Sequence, residues 1–307
     1  MEFFSKKRLS LAEGSILAAA AALFVTVLAY AIPAPIVFVA GTSAKAAEVN
    51  QNFADIYDVL QYFTVDHSDP LHPRIVIEGA NVQIVSGAGS TSEGDCVGGG
   101  CSGLGNLIVG YNESSGGEFR TGAHNVIVGA NHEYTSTGGF VAGDANTISG
   151  RSASVSGGQL NTASGNYASI SGGRDNMATA VWTSISGGGS NSATQEYGSV
   201  GGGEFNTASG SFATVSGGHG NVATNGVWTS VAGGESNLAS GRGAAVSGGY
   251  SNEATAADAV VAGGQDNVAN GNSSAVLGGN GNSTSGAGSR TVVGDVTNVY
   301  TNGGLVH

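Results

Sequence analysis

Between Asn131 and Asn282 the large aliphatic side chains come mostly singly and at a fixed interval: Val155, Ile170, Ile185, Val200, Val215, Val231, Val246, Val261 and Val276. A second column keeps the same beat: Asn131, Asn146, Asn161, Asn176, Asn191, Asn206, Asn221, Asn237, Asn252, Asn267 and Asn282. Nine of its ten intervals are 15 residues and one is 16. Counted from the β-branched residue, the unit reads V/I, S, G, G, x, x, N, x, A, S, G, x, x, A, x. A period of this length predicts an all-β fold, a parallel β-roll or β-solenoid of 15-residue coils, because one coil cannot bury its apolar face alone and must stack. In an extended segment alternate side chains share a face. The Val or Ile, the small residue two before it (Ala168, Thr183, Ala213, Ala244, Ala259) and the first Gly after it are therefore expected inside, as are Asn161, Ala163 and Gly165 on the returning segment. Such contents demand closely approaching walls. The Asn column predicts side chains that bond turn backbone and stack on their equivalents.

A third column breaks the economy of small residues. Three positions before the aliphatic one, five consecutive coils carry Tyr167, Trp182, Tyr197, Phe212 and Trp228, after which the column continues as Gly243, Asp258 and Ser273. Its parity points outward. The row is expected either to pack against another chain or to dock a glycan or protein ligand.

Ahead of the repeats the period changes. Val49, Phe53, Ile56, Leu60 and Phe63 follow spacings of 4, 3, 4 and 3, the seam of a coiled coil. A short N-terminal helix, with Thr42 or Ser43 as its N-cap, is expected there, and it is too short to stand alone. Self-association, as a homotrimer, is the partner expected for it. Ile75, Ile77, Val82 and Ile84 then read as a hairpin or the first coils of a sheet. The prolines beside His67, Asp69 and His72 favour a solvated turn over a metal cluster.

The phrase "ASVSGGQLNTASGNYASISGG" resembles the head repeats of YadA-like trimeric autotransporter adhesins, over roughly residues 105–286. The family's Val corresponds to Val155 and Ile170, its Gly to Gly158 and Gly173, its Ser/Asn to Asn161 and Asn176, and its Ala-x-Gly to Ala163 and Gly165. The resemblance implies a left-handed parallel β-roll, three chains side by side, displayed at a bacterial surface for adhesion. The unit departs from the family's 14 residues by one, and Gly157 stands where the family commonly has Ile. No amphipathic strands for a C-terminal membrane anchor are expected in residues 287–307.

Composition narrows the remaining choices. The chain has 307 residues, 54 of them Gly, 10% charged, with net charge −12; lysine occurs only at Lys6, Lys7 and Lys45. Nucleic acid is not an expected partner, for want of cationic surface. Lys6, Lys7 and Arg8 before an apolar run give residues 1–31 the form of a signal peptide, or of a signal anchor that touches the membrane through residues 15–32 if uncleaved. Such a segment predicts export to a secreted or cell-surface location. In that setting Cys96 and Cys101 are expected to form a local disulfide. The order is then a linker and helix over 32–63, a transition with short strands and the Cys loop over 64–104, repeats over 105–286 and a cap or tail over 287–307. No nucleophile, base and orienting partner cluster in sequence, and His219 and Glu235 stand isolated in variable turns, so no enzyme, metal or cofactor is expected. The expected function is a structural or adhesive fibre or adhesin head, with a host or matrix protein or glycan as possible ligand. A purely structural envelope, matrix or filament component is the alternative, and an ice- or carbohydrate-binding solenoid a third.

Overall fold

A computed structural model describes residues 36–37, 43, 45–92, 101–284 and 289–294. They fall into two compact units, divided between Val82 and Gln83. In the first unit, helix α1 spans Ala46–Leu60 and none of its residues is buried. Its N-cap is Lys45, extended and without a side-chain cap bond. Thr42 lies outside the described residues and Ser43 stands two positions too early. Lys45 Nζ instead meets Glu48 at 3.3 Å in the first turn.

Phe63 does not complete the helical seam. The helix stops at Leu60, and the β-prone stretch Phe63–Asp66 forms strand β1, antiparallel to β2 at Arg74–Ile77 with Phe63 opposite Ile77. The expected hairpin is therefore built from residues 63–77. Val82 and Ile84 lie in no strand and are exposed.

The second unit is a parallel β-solenoid. From Ser154 to Ala269 each coil gives one two-residue strand to a 13-stranded sheet, as at Ser154–Val155, and another to a 10-stranded sheet, as at Thr162–Ala163. Ser169 pairs with Ser184 and Ile170 with Ile185, a shift of one whole coil. A third line of contact is a run of single parallel bridges, Asp144 to Gln159 to Arg174 to Gly189 and on to Asn280. The roll starts before the regular beat does: β3 at Leu107–Val109 pairs with Val126–Ala130, which pairs with Phe140–Asp144.

Strand amides donate toward the next coil, as Ser154 N–H to Ala168 O (2.9 Å) and Thr162 N–H to Asn176 O (2.8 Å). At two corners of each coil the direction reverses. Leu160 N–H donates back to Asp144 O (3.2 Å) and Tyr167 N–H back to Arg151 O (2.8 Å), and both residues sit in the left-handed region at φ 58° and 59°. The left-handed corner thus gives a bend its hydrogen bonds.

The core is one aliphatic column, Ile127 and Val141 through Val276 and Val292, facing a column of alanines from Ala163 to Ala269, all buried. Between them runs the asparagine ladder. Each Asn Oδ1 accepts the backbone N–H of the Asn one coil on, in nine unbroken steps from Asn146 to Asn282 at 2.8–3.1 Å. Its amide donates across two coils, as Asn206 Nδ2 does to Gly202 O and Gly218 O, both at 2.9 Å. The 16-residue interval does not break the ladder: Asn237 N–H still reaches Asn221 Oδ1 at 3.0 Å. The extra residue, Asn225, is expelled at a corner with φ 55°.

Asn131 is not part of this ladder. It occupies a left-handed corner at φ 58° and gives its side-chain amide to the Asp144 carboxylate at 3.0 Å. That bond, with a second from Gln159, holds the Asp144 carboxyl below the usual carboxylate range. The buried place falls to His132, whose Nδ1 accepts Asn146 N–H (3.2 Å) while Nε2–H donates to Val128 O (3.0 Å). The column is displaced by one residue because this coil is shorter than the later ones.

The first Gly of each pair is not interior either. A Cβ on Gly157 or Gly172 would meet nothing within 4 Å, whereas one on Gly158 or Gly173 would lie 2.0 or 2.1 Å from the carbonyl oxygen of the next coil's second Gly. The strand is only two residues long, so alternation ends before the glycines begin. Gly173 is also fixed at φ 90°. Gly172→Ala should change unfolding free energy by less than about 0.5 kcal/mol, whereas Gly173→Ala should cost several-fold more, both read by chemical denaturation; equal costs would contradict this packing.

Candidate functional site

The aromatic column stands on the same corner as Tyr167, where the backbone is left-handed in each coil from Gly138 to Ser273. Tyr167, Trp182, Tyr197, Phe212 and Trp228 have φ between 56° and 62°. Other coils fill this position with residues that suit it better, Gly138, Ser152, Gly243, Asp258 and Ser273. A bulky residue in this region costs on the order of 1 kcal/mol or more. The turn alone does not ask for an aromatic side chain, and five in succession need another cause.

That cause is their mutual contact. Ring centroids are 5.7, 5.0 and 4.6 Å apart from Tyr167 through Phe212, with interplanar angles of 11°, 18° and 6°. The spacing matches the coil repeat of about 4.8 Å. Each contact contributes roughly 0.5–1.5 kcal/mol beyond area burial, enough to offset much of the backbone cost. The rings nevertheless remain 41–60% exposed. Stacking covers the faces of the inner rings, so they offer solvent their edges. Trp228 departs from the pattern. It lies 6.2 Å from Phe212, tilted by 36°, just after the extra residue Asn225, and is the most exposed of the five at 60%.

The other expected groups are spread over both units. Val49, Phe53 and Ile56 line a shallow apolar depression on α1 with Asn52, and Phe53, Ile56 and Leu60 are about half exposed. Cys101 is in a disulfide; Cys96, its expected partner, lies outside the described residues, as do residues 15–32. Asp69 accepts from His72 Nδ1 at 2.8 Å and is held below the usual carboxylate range chiefly by it, within an exposed turn. His219 and Glu235 are not isolated. They are bridge partners in adjacent coils, with Glu204 on the far side of His219, and His219 meets Phe205 edge-on at 5.6 Å. Among the described residues no three His, Cys, Asp or Glu side chains gather as a metal-holding group, and no helix is long and apolar enough to cross a membrane.

The sequence places the start of the roll near residue 105, but the bonds that build this entry are not read from it. Asn106 and Asn125 form a short second ladder, with Asn125 N–H on Asn106 Oδ1 (2.8 Å) and Gly139 N–H on Asn125 Oδ1 (2.7 Å). Arg120 binds the carbonyls of Asn112, Glu113 and His132. Glu118 closes the intervening loop by accepting from Ser114 and Ser115, which lower its carboxyl to about 2. No protein-family model and no curated protein matches this chain.

Two outcomes are expected. Tyr197→Ser should lower stability by less than about 2 kcal/mol, because lost stacking is partly offset by a residue better suited to φ > 0, while near-UV circular dichroism of the ladder falls sharply. The Glu118 carboxyl carbon should titrate near 2 by NMR. Its folded value is depressed, so the loop's stabilisation is present above the ordinary Glu range and lost as pH falls toward 2.

Proposed function

We propose that the chain is an exported, surface-displayed fibre or adhesin subunit whose function is rigid presentation of a repetitive surface, with no catalytic role. The observation that carries this reading is the aromatic ladder: five large rings held on an outer corner, against local backbone preference, on a scaffold whose interior is filled by aliphatic, alanine and asparagine columns. A backbone bonded from coil to coil supports rigidity. The resemblance to autotransporter heads supports the adhesive role, and the secretory pattern of residues 1–31 supports export.

Self-association enters through α1. A helix of 15 residues with no buried side chain and a 4-3-4 apolar seam at Val49, Phe53, Ile56 and Leu60 gains most of its stability by burying that seam against copies of itself. A parallel homotrimer is the arrangement we assign. The ladder then serves either as the adhesive edge or as a second contact between chains.

Sedimentation equilibrium of the full chain should give a trimer. Ile56→Asp should reduce it to monomer while the solenoid's far-UV spectrum persists; a wild-type monomer at tens of micromolar overturns the assembly. Trp182→Ser with Trp228→Ser separates the ladder's roles. Loss of binding to matrix-coated surfaces with the trimer intact supports adhesion, and loss of the trimer identifies an interface.

A further inference from the structure

The ladder ends in a gap. In the coil after Trp228 the column holds Gly243, aligned by its N–H on Val227 O at 2.9 Å, and in the next it holds Asp258, aligned on Arg242 O at 2.7 Å. One rung thus lacks a side chain, and Trp228, the last ring of the stack, has no ring in the column on that side. The inner edge of the gap is shaped by Asp258. A Cβ built on Gly243 would lie 2.5 Å from Asp258 Oδ1, so the carboxylate leans back over the glycine and forms the inner end of the gap. Asp258 Oδ2 is held by Arg242 at 3.4 Å.

We propose that this gap is a binding site for a pyranose ring, with Trp228 as platform and Asp258 and Arg242 as its polar end. The inference deepens the adhesive reading by naming a ligand class for one end of the ladder, and it rests on that corner facing outward. The backbones of Trp228 and Asp258 are two coils apart, about 9.5 Å along the axis, but the Asp258 carboxylate reaches back to the level of Gly243, so it borders the inner edge of the gap and not its far face. A ring in van der Waals contact with the indole, at roughly 3.5–4 Å, lies over the outer part of the missing rung, with its inner edge turned toward the carboxylate. The apolar C–H face of a pyranose suits the indole. Its vicinal hydroxyls suit an acceptor beside guanidinium donors. A simple cation fits less well, because Arg242 already neutralises the carboxylate and would have to be displaced. The inner rungs cannot serve in this way, since their faces are covered by one another.

The test uses the full chain labelled with 5-fluorotryptophan. Its two Trp residues give two fluorine resonances, assigned by Trp228→Phe. Titration with methyl glycosides of glucose, galactose, mannose and N-acetylglucosamine should move the Trp228 signal saturably with at least one of them, in the millimolar range typical of a single small contact site, and leave Trp182 as internal reference. Gly243→Asn fills the gap with a residue that tolerates φ > 0, and Asp258→Ser removes the acceptor. Each should weaken binding about tenfold or more with the melting transition retained. No saturable shift with any glycoside, a response to tetramethylammonium alone, or binding undiminished in Gly243→Asn overturns the proposal. Sedimentation of the same samples keeps this outcome separate from the assembly: a monomer that still binds glycoside leaves the site standing.

Discussion

The buried asparagine ladder is the interaction on which the rest of the fold depends. At the bend between the two sheets the backbone presents carbonyls and amides to an interior that water does not reach. Each Asn satisfies them with one side chain, its oxygen taking an amide from the next Asn and its nitrogen bonding carbonyls in its own coil and the next. A buried polar group is tolerable only when its partners are in place. The ladder therefore demands that every coil have the same register, and with register fixed, aliphatic stacks on aliphatic and alanine on alanine. The close approach at Gly158 and Gly173 stems from the same demand, because the amide must reach carbonyls on two coils at once.

The aromatic corner depends on this regularity. Rings stack only where the scaffold brings successive side chains to the spacing of stacked rings, and the coil repeat does so. Stacking in turn steadies residues that a left-handed corner would not otherwise favour. Where the column changes to Gly243, Asp258 and Ser273, it returns to what the backbone prefers. The ladder is thus an addition to the turn rather than a requirement of it.

Much of this is legible in the sequence, for a physical reason. Columns that repeat in space repeat in sequence, so the period at Asn146, Asn161 and Asn176 marks the coils, and the side-chain chemistry of Asn anticipates the ladder. The illegible parts lie where the period fails. The first coils advance by 19 residues and then 14 between Leu107, Val126 and Phe140, so Asn131 keeps the beat in sequence while His132 fills the column in space. Nothing in a Gly-Gly pair says which residue faces the crowded side. That depends on where a two-residue strand ends. The pairing of His219 with Glu235 is hidden for a similar reason, since a single bridge leaves no alternation to read.

The extra residue at Asn225 shows how the stack handles error. Inserted between two interior positions, it would have displaced every later column by one and turned the core outward. Expelled on the solvent side of a bend, it is cancelled within its own coil, and Asn237 meets Asn221 as its neighbours meet theirs. The molecule behaves here like a ruled scale whose divisions are reset at each mark. Length variation at its bends stays local, so such a chain can acquire surface differences one bend at a time without renegotiating its interior.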